Sequence, residues 1–220
     1  IQVDIQDLHF AYSEEKPAIT GLDLSILPNQ LTVFVGKSGC GKSTLVSLLM
    51  GFNKAQQGKI LLNGQEIQEI DRHSFYAKVS LVSHSSYVFK GTLRENMTMA
   101  KIDATDEQIY VCLEQVNLAQ FVRDNGGLDM PLLSRGANLS GGQIQRLALA
   151  RALLHNAELY IFDEATSNID VESEEIILQF IQQFKQQKTI VMISHRLANA
   201  VNADCINVLE QGKLIEQGTH

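Results

Sequence analysis

The chain has 220 residues, enough to bury a sizeable core in one domain or two lobes, and its 45% hydrophobic and 20% charged content is that of a folded globular protein. A formal net charge of −7 argues against a broad grip on nucleic acid, where affinity comes from Lys and Arg neutralising phosphates, and no apolar stretch approaches the ~18 residues that cross a bilayer. The three cysteines, Cys40, Cys112 and Cys205, lie far apart without the Cys-x-x-Cys pairing of a zinc or redox motif, which fits a reducing, cytosolic compartment.

In chain order, residues 3–12 and 22–27 alternate apolar and polar side chains and predict an antiparallel edge sheet. Residues 31–35 are almost wholly apolar, as in a strand buried on both faces of a parallel sheet, and a glycine-rich stretch then leads to an apolar helix over 44–50. Residues 78–82, 159–162, 189–193 and 205–209 also read as strands. Between 91 and 154 the periodicity is helical, as in 106–116 with Ile109, Leu113 and Val116 on one face, and no strand is predicted. Ile176, Ile177, Phe180, Ile181 and Phe184 share one face of a helix opened by Glu172, Glu174 and Glu175, and acidic residues suit a helix N-terminus. The final 216–220 reads as a turn. Strand and helix alternation at both ends predicts an α/β core with a mostly parallel sheet over 1–90 and 155–220, which carries the N-terminal antiparallel β-subdomain; an α-helical subdomain is inserted over 91–154. The first residue is Ile1 and no signal segment precedes the first strand, so both ends read as cuts in a longer polypeptide.

Gly36-Lys37-Ser38-Gly39-Cys40-Gly41-Lys42-Ser43 fits G-x-x-x-x-G-K-[ST] between a predicted strand and a helix beginning at Thr44, the context that gives the pattern its meaning. Glycines let backbone N–H groups close around phosphate oxygens, the helix N-terminus adds partial positive charge, Lys42 reaches the β- and γ-phosphates and Ser43 binds Mg²⁺. Asp163 and Glu164 end the strand over 159–162, at the edge where open α/β sheets take ligands. Beside a phosphate loop, Asp163 suits Mg²⁺ and Glu164 suits positioning of a water. Ser140-Gly141-Gly142-Gln143 precedes the apolar-periodic Ile144, Leu147, Ala148 and Leu153, and Ser140 with Gln143 has capping-box spacing. Capping does not require two glycines, each costing about 1 kcal/mol against Ala in a helix; close approach of a second anion does.

Leu139 to Gln143, with Gln145-Arg146 behind it, resembles the signature sequence of the ABC ATPase family, and the resemblance runs from Tyr12 to His220. It implies a P-loop NTPase core that uses ATP and Mg²⁺. It further implies that Tyr12 stacks on adenine, that Ser167-Asn168-Ile169-Asp170 is the D-loop after a catalytic Glu164, and that His195 contacts the γ-phosphate. The stretch from Phe89 to Asn96 and the final Gly212 to His220 look like segments of exporter-type members. Three positions depart from the family pattern: His84 stands where the family has a glutamine that contacts Mg²⁺ and serves coupling to the membrane domain, Ser134-Arg135-Gly136 where exporters have Glu-x-Gly, and Ile144 where Arg is common.

The resemblance implies two such domains closing head to tail over ATP, with Ser140 and Gly142 of one copy, in the motif that includes Gly141 and Gln143, reaching the phosphate held by Lys42 of the other. The second domain is an identical copy or a paralogue, and a transmembrane domain on the same or a partner polypeptide receives the motion. The expected function is thus the ATP-hydrolysing motor domain of an exporter at the cytoplasmic face of the cell membrane, soluble when isolated, with no nucleic-acid partner. Two other readings stay open. One is a non-transport ABC ATPase acting on DNA or ribosomes, although the chain lacks the long coiled-coil insertions or tandem cassettes of that class. The other is a regulatory cassette with low hydrolysis, motivated by His84.

Overall fold

The computed structural model describes residues 1–13, 16–167 and 169–220. Strands β1 (Val3–Ser13) and β2 (Lys16–Ile26) pair antiparallel, with Val3 opposite Ile26 and Ile5 opposite Leu24. Their burial alternates as the two-residue period of a strand requires, so that Val3, Ile5, Leu22, Leu24 and Ile26 reach the core. Strand β3 (Leu31–Val35), buried at every residue, ends in the glycine-rich loop that opens helix α1 (Lys42–Leu49). Strand β4 (Gln57–Leu62) returns to pair with β1, and β5 (Gln65–Glu66) completes a four-stranded sheet of order β2-β1-β4-β5. Helix α2 (Arg72–Lys78) is capped by the Asp71 carboxylate, which accepts from Ser74 N at 3.0 Å, and runs into strand β6 (Val79–Ser83).

The middle of the chain is helical, as expected, with one correction. Two-residue strands β7 (Gly91–Thr92) and β8 (Pro131–Leu132) pair antiparallel, too short to leave any period in the sequence. Around them lie α3 (Leu93–Thr98), α4 (Asp106–Gln115), α5 (Ala119–Asp124) and α6 (Gly141–His155). Capping boxes start three of these helices: Thr92 with Glu95, Thr105 with Gln108, and Ser140 with Gln143. Each satisfies two first-turn donors from within the chain.

Strand β9 (Leu159–Asp163), helix α7 (Val171–Phe184) and strands β10 (Thr189–Ile193), β11 (Cys205–Glu210) and β12 (Lys213–Gly218) follow. The second sheet has the order β12-β11-β3-β10-β9-β6, and β11, β3, β10 and β9 run parallel. Strand β12 corrects the expected terminal turn. Its last residues pair antiparallel with β11, Glu216 opposite Val208 and Gly218 opposite Ile206, on a sheet edge where every β12 residue but Leu214 is exposed.

The chain divides into two compact units. The first comprises Ile1–Leu81, Glu158–Glu164 and Ile181–His220; its core joins Ile5, Leu22 and Ile60 of the antiparallel sheet to Phe34, Leu45, Ile161 and Val191. The second comprises Val82–Ala157 and Ala165–Phe180, with Leu93, Met97, Ile109, Leu113 and Leu147 fully buried. Among the described residues no helix is long and apolar enough to cross a membrane.

Candidate functional site

In the first unit, Ile193 lies opposite both Phe34 and Asp163 in the parallel register. The loop after β3, the carboxylates after β9 and His195 after β10 therefore leave the sheet at one edge, the edge where such sheets bind ligands. Gly36 and Gly41 have φ of +153° and +111°. A Cβ on Gly36 would collide with the Leu209 carbonyl, and one on Gly41 would sit 2.5 Å from the Ala18 carbonyl oxygen. The turn between β11 and β12 is laced to this loop, because Gly212 N donates to Cys40 O at 2.9 Å and Thr20 N donates to Gly212 O at 2.9 Å.

Lys42 is only 5% exposed. Its Nζ donates to Gly36 O at 2.7 Å and Lys37 O at 3.0 Å, with Cys40 Sγ at 3.6 Å. Among the described residues no carboxylate pairs with this ammonium. A buried cation held by two carbonyls and a thiol, with no opposite charge, is a standing attraction for an anion. Tyr12, Ser38, Gly39, Gly41, Lys42, Ser43, Thr44 and Glu164 line one open cavity of about 340 Å³, within the range of small-molecule sites. Tyr12 is 67% exposed, edge-on to Phe10 at 4.9 Å, with its hydroxyl 3.5 Å from Thr44 Oγ1.

Glu164 follows β9 with φ +50°, a left-handed conformation that costs a non-glycine residue about 1–3 kcal/mol and concentrates at functional sites. Its Oε1 lies 3.4 Å from His195 Nδ1, and both side chains reach solvent. Ser43, exposed in the first turn of α1, and Asp163, ending β9, offer hard oxygen donors of the kind Mg²⁺ takes, so the residues present fit that ion. Among the described residues no cluster of three or more His, Cys, Asp or Glu side chains is arranged to hold a metal.

The second unit carries the remaining predicted residues. Ser140 Oγ accepts from Gln143 N at 3.1 Å and Gln143 Oε1 accepts from Ser140 N at 2.8 Å. These bonds leave the N–H groups of Gly141 and Gly142 outside the capping box, at the positive end of a 15-residue helix. Gly142 has a reason to be glycine that its spacing did not reveal: a Cβ there would collide with Asp170 Oδ2 and Ser173 Oγ. Asp170 caps α7, accepting from Ser173 N at 2.8 Å and Ser173 Oγ at 2.9 Å. Those two bonds, aided by the Arg146 charge, hold its carboxyl below the usual carboxylate range. Asn168 lies outside the described residues. His84 lines a cavity of about 290 Å³ with Gly141, Gln145 and Ser167, and its carbonyl accepts from Gln145 Nε2 at 2.8 Å. Of the departures, Ser134 Oγ lies 3.3 Å from Tyr87 Oη, Arg135 adopts φ +60°, and Ile144 packs beside Gly136.

Sequence reasoning passed over Lys16, Pro17 and Ala18, which line the first unit's cavity, and Ser173. A lone Lys in an edge strand and a Ser in a helical first turn carry no motif that would single them out.

A family model described as ABC transporter matches residues 19–167. Over 220 residues the chain is 92% identical to an uncharacterized ABC transporter ATP-binding protein of Haemophilus influenzae, with all of this chain and 39% of that protein covered. It is 39% identical to an ATP-dependent lipid A-core flippase of Saccharophagus degradans, with all of this chain and 38% of that protein covered. A solved structure of a bacterial Atm1-family ABC exporter with ATP bound matches all of this chain and 38% of its own, with a TM-score of 0.94 and 33% identity. The chain thus spans about two-fifths of the length of these relatives.

Proposed function

Because this chain belongs to the ABC transporter family as an ATP-binding domain of the exporter kind, we propose that it binds ATP with Mg²⁺ at the β3–α1 loop and hydrolyses it to drive transport. The buried Lys42 ammonium, bonded to two carbonyls of its own loop and to no carboxylate among the described residues, carries this reading. On a nucleotide's arrival that ammonium exchanges carbonyl partners for β- and γ-phosphate oxygens. Loop amides and the α1 N-terminus complete the cradle across Gly36 to Thr44. Tyr12 presents an exposed ring to adenine.

Ser43 and Asp163 would hold Mg²⁺, and the ion would supply charge neutralisation at the phosphates. Glu164 orients the attacking water. His195, 3.4 Å from it, holds the carboxylate in place and faces the γ-phosphate. Ser140 and the free amides of Gly141 and Gly142 serve the nucleotide of a second ATP-binding domain, identical or paralogous, while Gln143 holds the cap and Asp170 the adjoining helix. A transmembrane domain on the same or a partner polypeptide receives the closure, which places the protein at the cytoplasmic face of the cell membrane.

Glu164→Gln tests the assignment. The variant is expected to bind ATP as the parent does, to lose at least about 100-fold in turnover, and to run as a dimer in ATP and Mg²⁺. Parental turnover, or a monomer at saturating ATP, overturns the assignment.

A further inference from the structure

The capping box leaves Gly141 and Gly142 with unspent amides, but nothing in that box determines where Gly142 sits. A different segment does. Asp170 and Ser173, at the start of α7, approach the Gly142 Cα so closely that no side chain fits between. Ser173 is completely buried, with its Cβ 3.1 Å from the position a Gly142 Cβ would take. Its hydroxyl donates to Asp170 Oδ2 at 2.9 Å, while its amide donates to Oδ1 at 2.8 Å. The two bonds have separable consequences. The amide bond caps α7 and needs no side chain at position 173. The hydroxyl bond has no capping duty; it fixes the second carboxylate oxygen in the place where it meets Gly142.

We propose that Ser173 is a positioning residue: its buried hydroxyl pins the Asp170 carboxylate against Gly142 and so sets the direction of the first-turn amides of α6. The glycine at 142 serves this contact as well as any anion. Ser173 touches no phosphate; it acts through Asp170 and Gly142. The catalytic part of the inference rests on the proposed function, since those amides matter to turnover only if they meet a partner's nucleotide. The positional part stands on the packing alone.

Ser173→Ala is the discriminating variant, because it keeps the Cβ and the amide that caps α7 and removes only the pin. Turnover is expected to fall about tenfold, with KM and equilibrium ATP affinity within twofold, since a displacement of about 1 Å at a reacting group costs up to ~100-fold while Lys42 and its loop are untouched. The Gly142 amide resonance should shift without any nucleotide present. Gly142→Ala should be nearly inactive, and Gly142→Ala/Ser173→Gly should recover several-fold, because removal of the hydroxyl frees the carboxylate to swing away from the new methyl group. An unmoved Gly142 resonance in Ser173→Ala overturns the positional claim whether or not the parent hydrolyses ATP. A moved resonance with parental turnover overturns the catalytic one. A double variant no better than Gly142→Ala shows that the hydroxyl does not govern the contact. Loss of function in Glu164→Gln leaves the proposed function standing under each of these outcomes, so the two readings fail separately.

Discussion

Lys42 is bonded to its own loop, so Lys42→Ala removes a buried cation from the site and leaves the Gly36 and Lys37 carbonyl oxygens without it. ATP affinity is expected to fall at least about 100-fold, on the scale of a charge-assisted bond lost from a desolvated site, and titration calorimetry would read it; unchanged affinity would place the phosphates elsewhere. Tyr12→Ala should raise KM with little change in kcat, since stacking on adenine is uniform between ground and transition states. A fall in kcat at constant KM would make Tyr12 a structural residue. His84 offers imidazole nitrogen where the family has an amide oxygen, and nitrogen suits softer divalent ions. The parent should therefore show a higher Mn²⁺-to-Mg²⁺ activity ratio than His84→Gln, and equal ratios would place His84 outside the metal shell. At this scale the phosphate loop is legible because its chemistry lies within eight consecutive residues, Gly36 to Ser43. The contact of Gly142 with Asp170 and Ser173 is not, because it joins segments from two helices and leaves no local pattern.

The start of α6 was legible for the same local reason, in the three-residue spacing of Ser140 and Gln143. Each capping box pairs side chains three residues apart, and Thr105 with Gln108 opens α4 where the apolar stripe of Ile109 and Leu113 begins. Thr105→Ala should cost about 1 kcal/mol in a urea titration and leave ATP affinity alone. Strand β12 was illegible for a complementary physical reason: it lies on an edge with nearly every residue exposed, so neither alternation nor an apolar run betrays it. The cap on α7 has a pH consequence. Hydrogen bonds from Ser173 hold the Asp170 carboxyl below its unfolded value, so the stability they bring is complete above the unfolded pKa and is lost as pH falls through the folded one. The melting temperature should accordingly drop below about pH 4, and Asp170→Asn should flatten part of that drop. Because the carboxylate is exposed, solvent screening keeps the effect small; identical pH profiles would show that the cap does not titrate with folding.

Across the molecule, the parallel strands announced themselves because burial on both faces makes them nearly continuous apolar runs, whereas the division into two units depends on contacts between distant segments. Phe34 sits wholly buried in β3, one strand carrying both the core and the approach to the phosphate loop. Phe34→Ala should cost about 3–5 kcal/mol, seen as a lower urea midpoint; a loss under 1 kcal/mol would mean that the core closes around the gap. The lacing of Gly212 to Cys40 and Thr20 bears on synthesis. The ribosome delivers the glycine-rich loop well before the loop's final partners, the Leu209 carbonyl that faces Gly36 and the Gly212 amide, which lie far downstream in the chain. Closing so long a span comes late and slowly. A nascent chain stalled at residue 204 should hold folded helices but capture no ATP, and one extended through residue 220 and clear of the exit tunnel should capture it. Competence for nucleotide would then appear only once the turn between β11 and β12 has been made, which keeps an unsupported loop from capturing ATP.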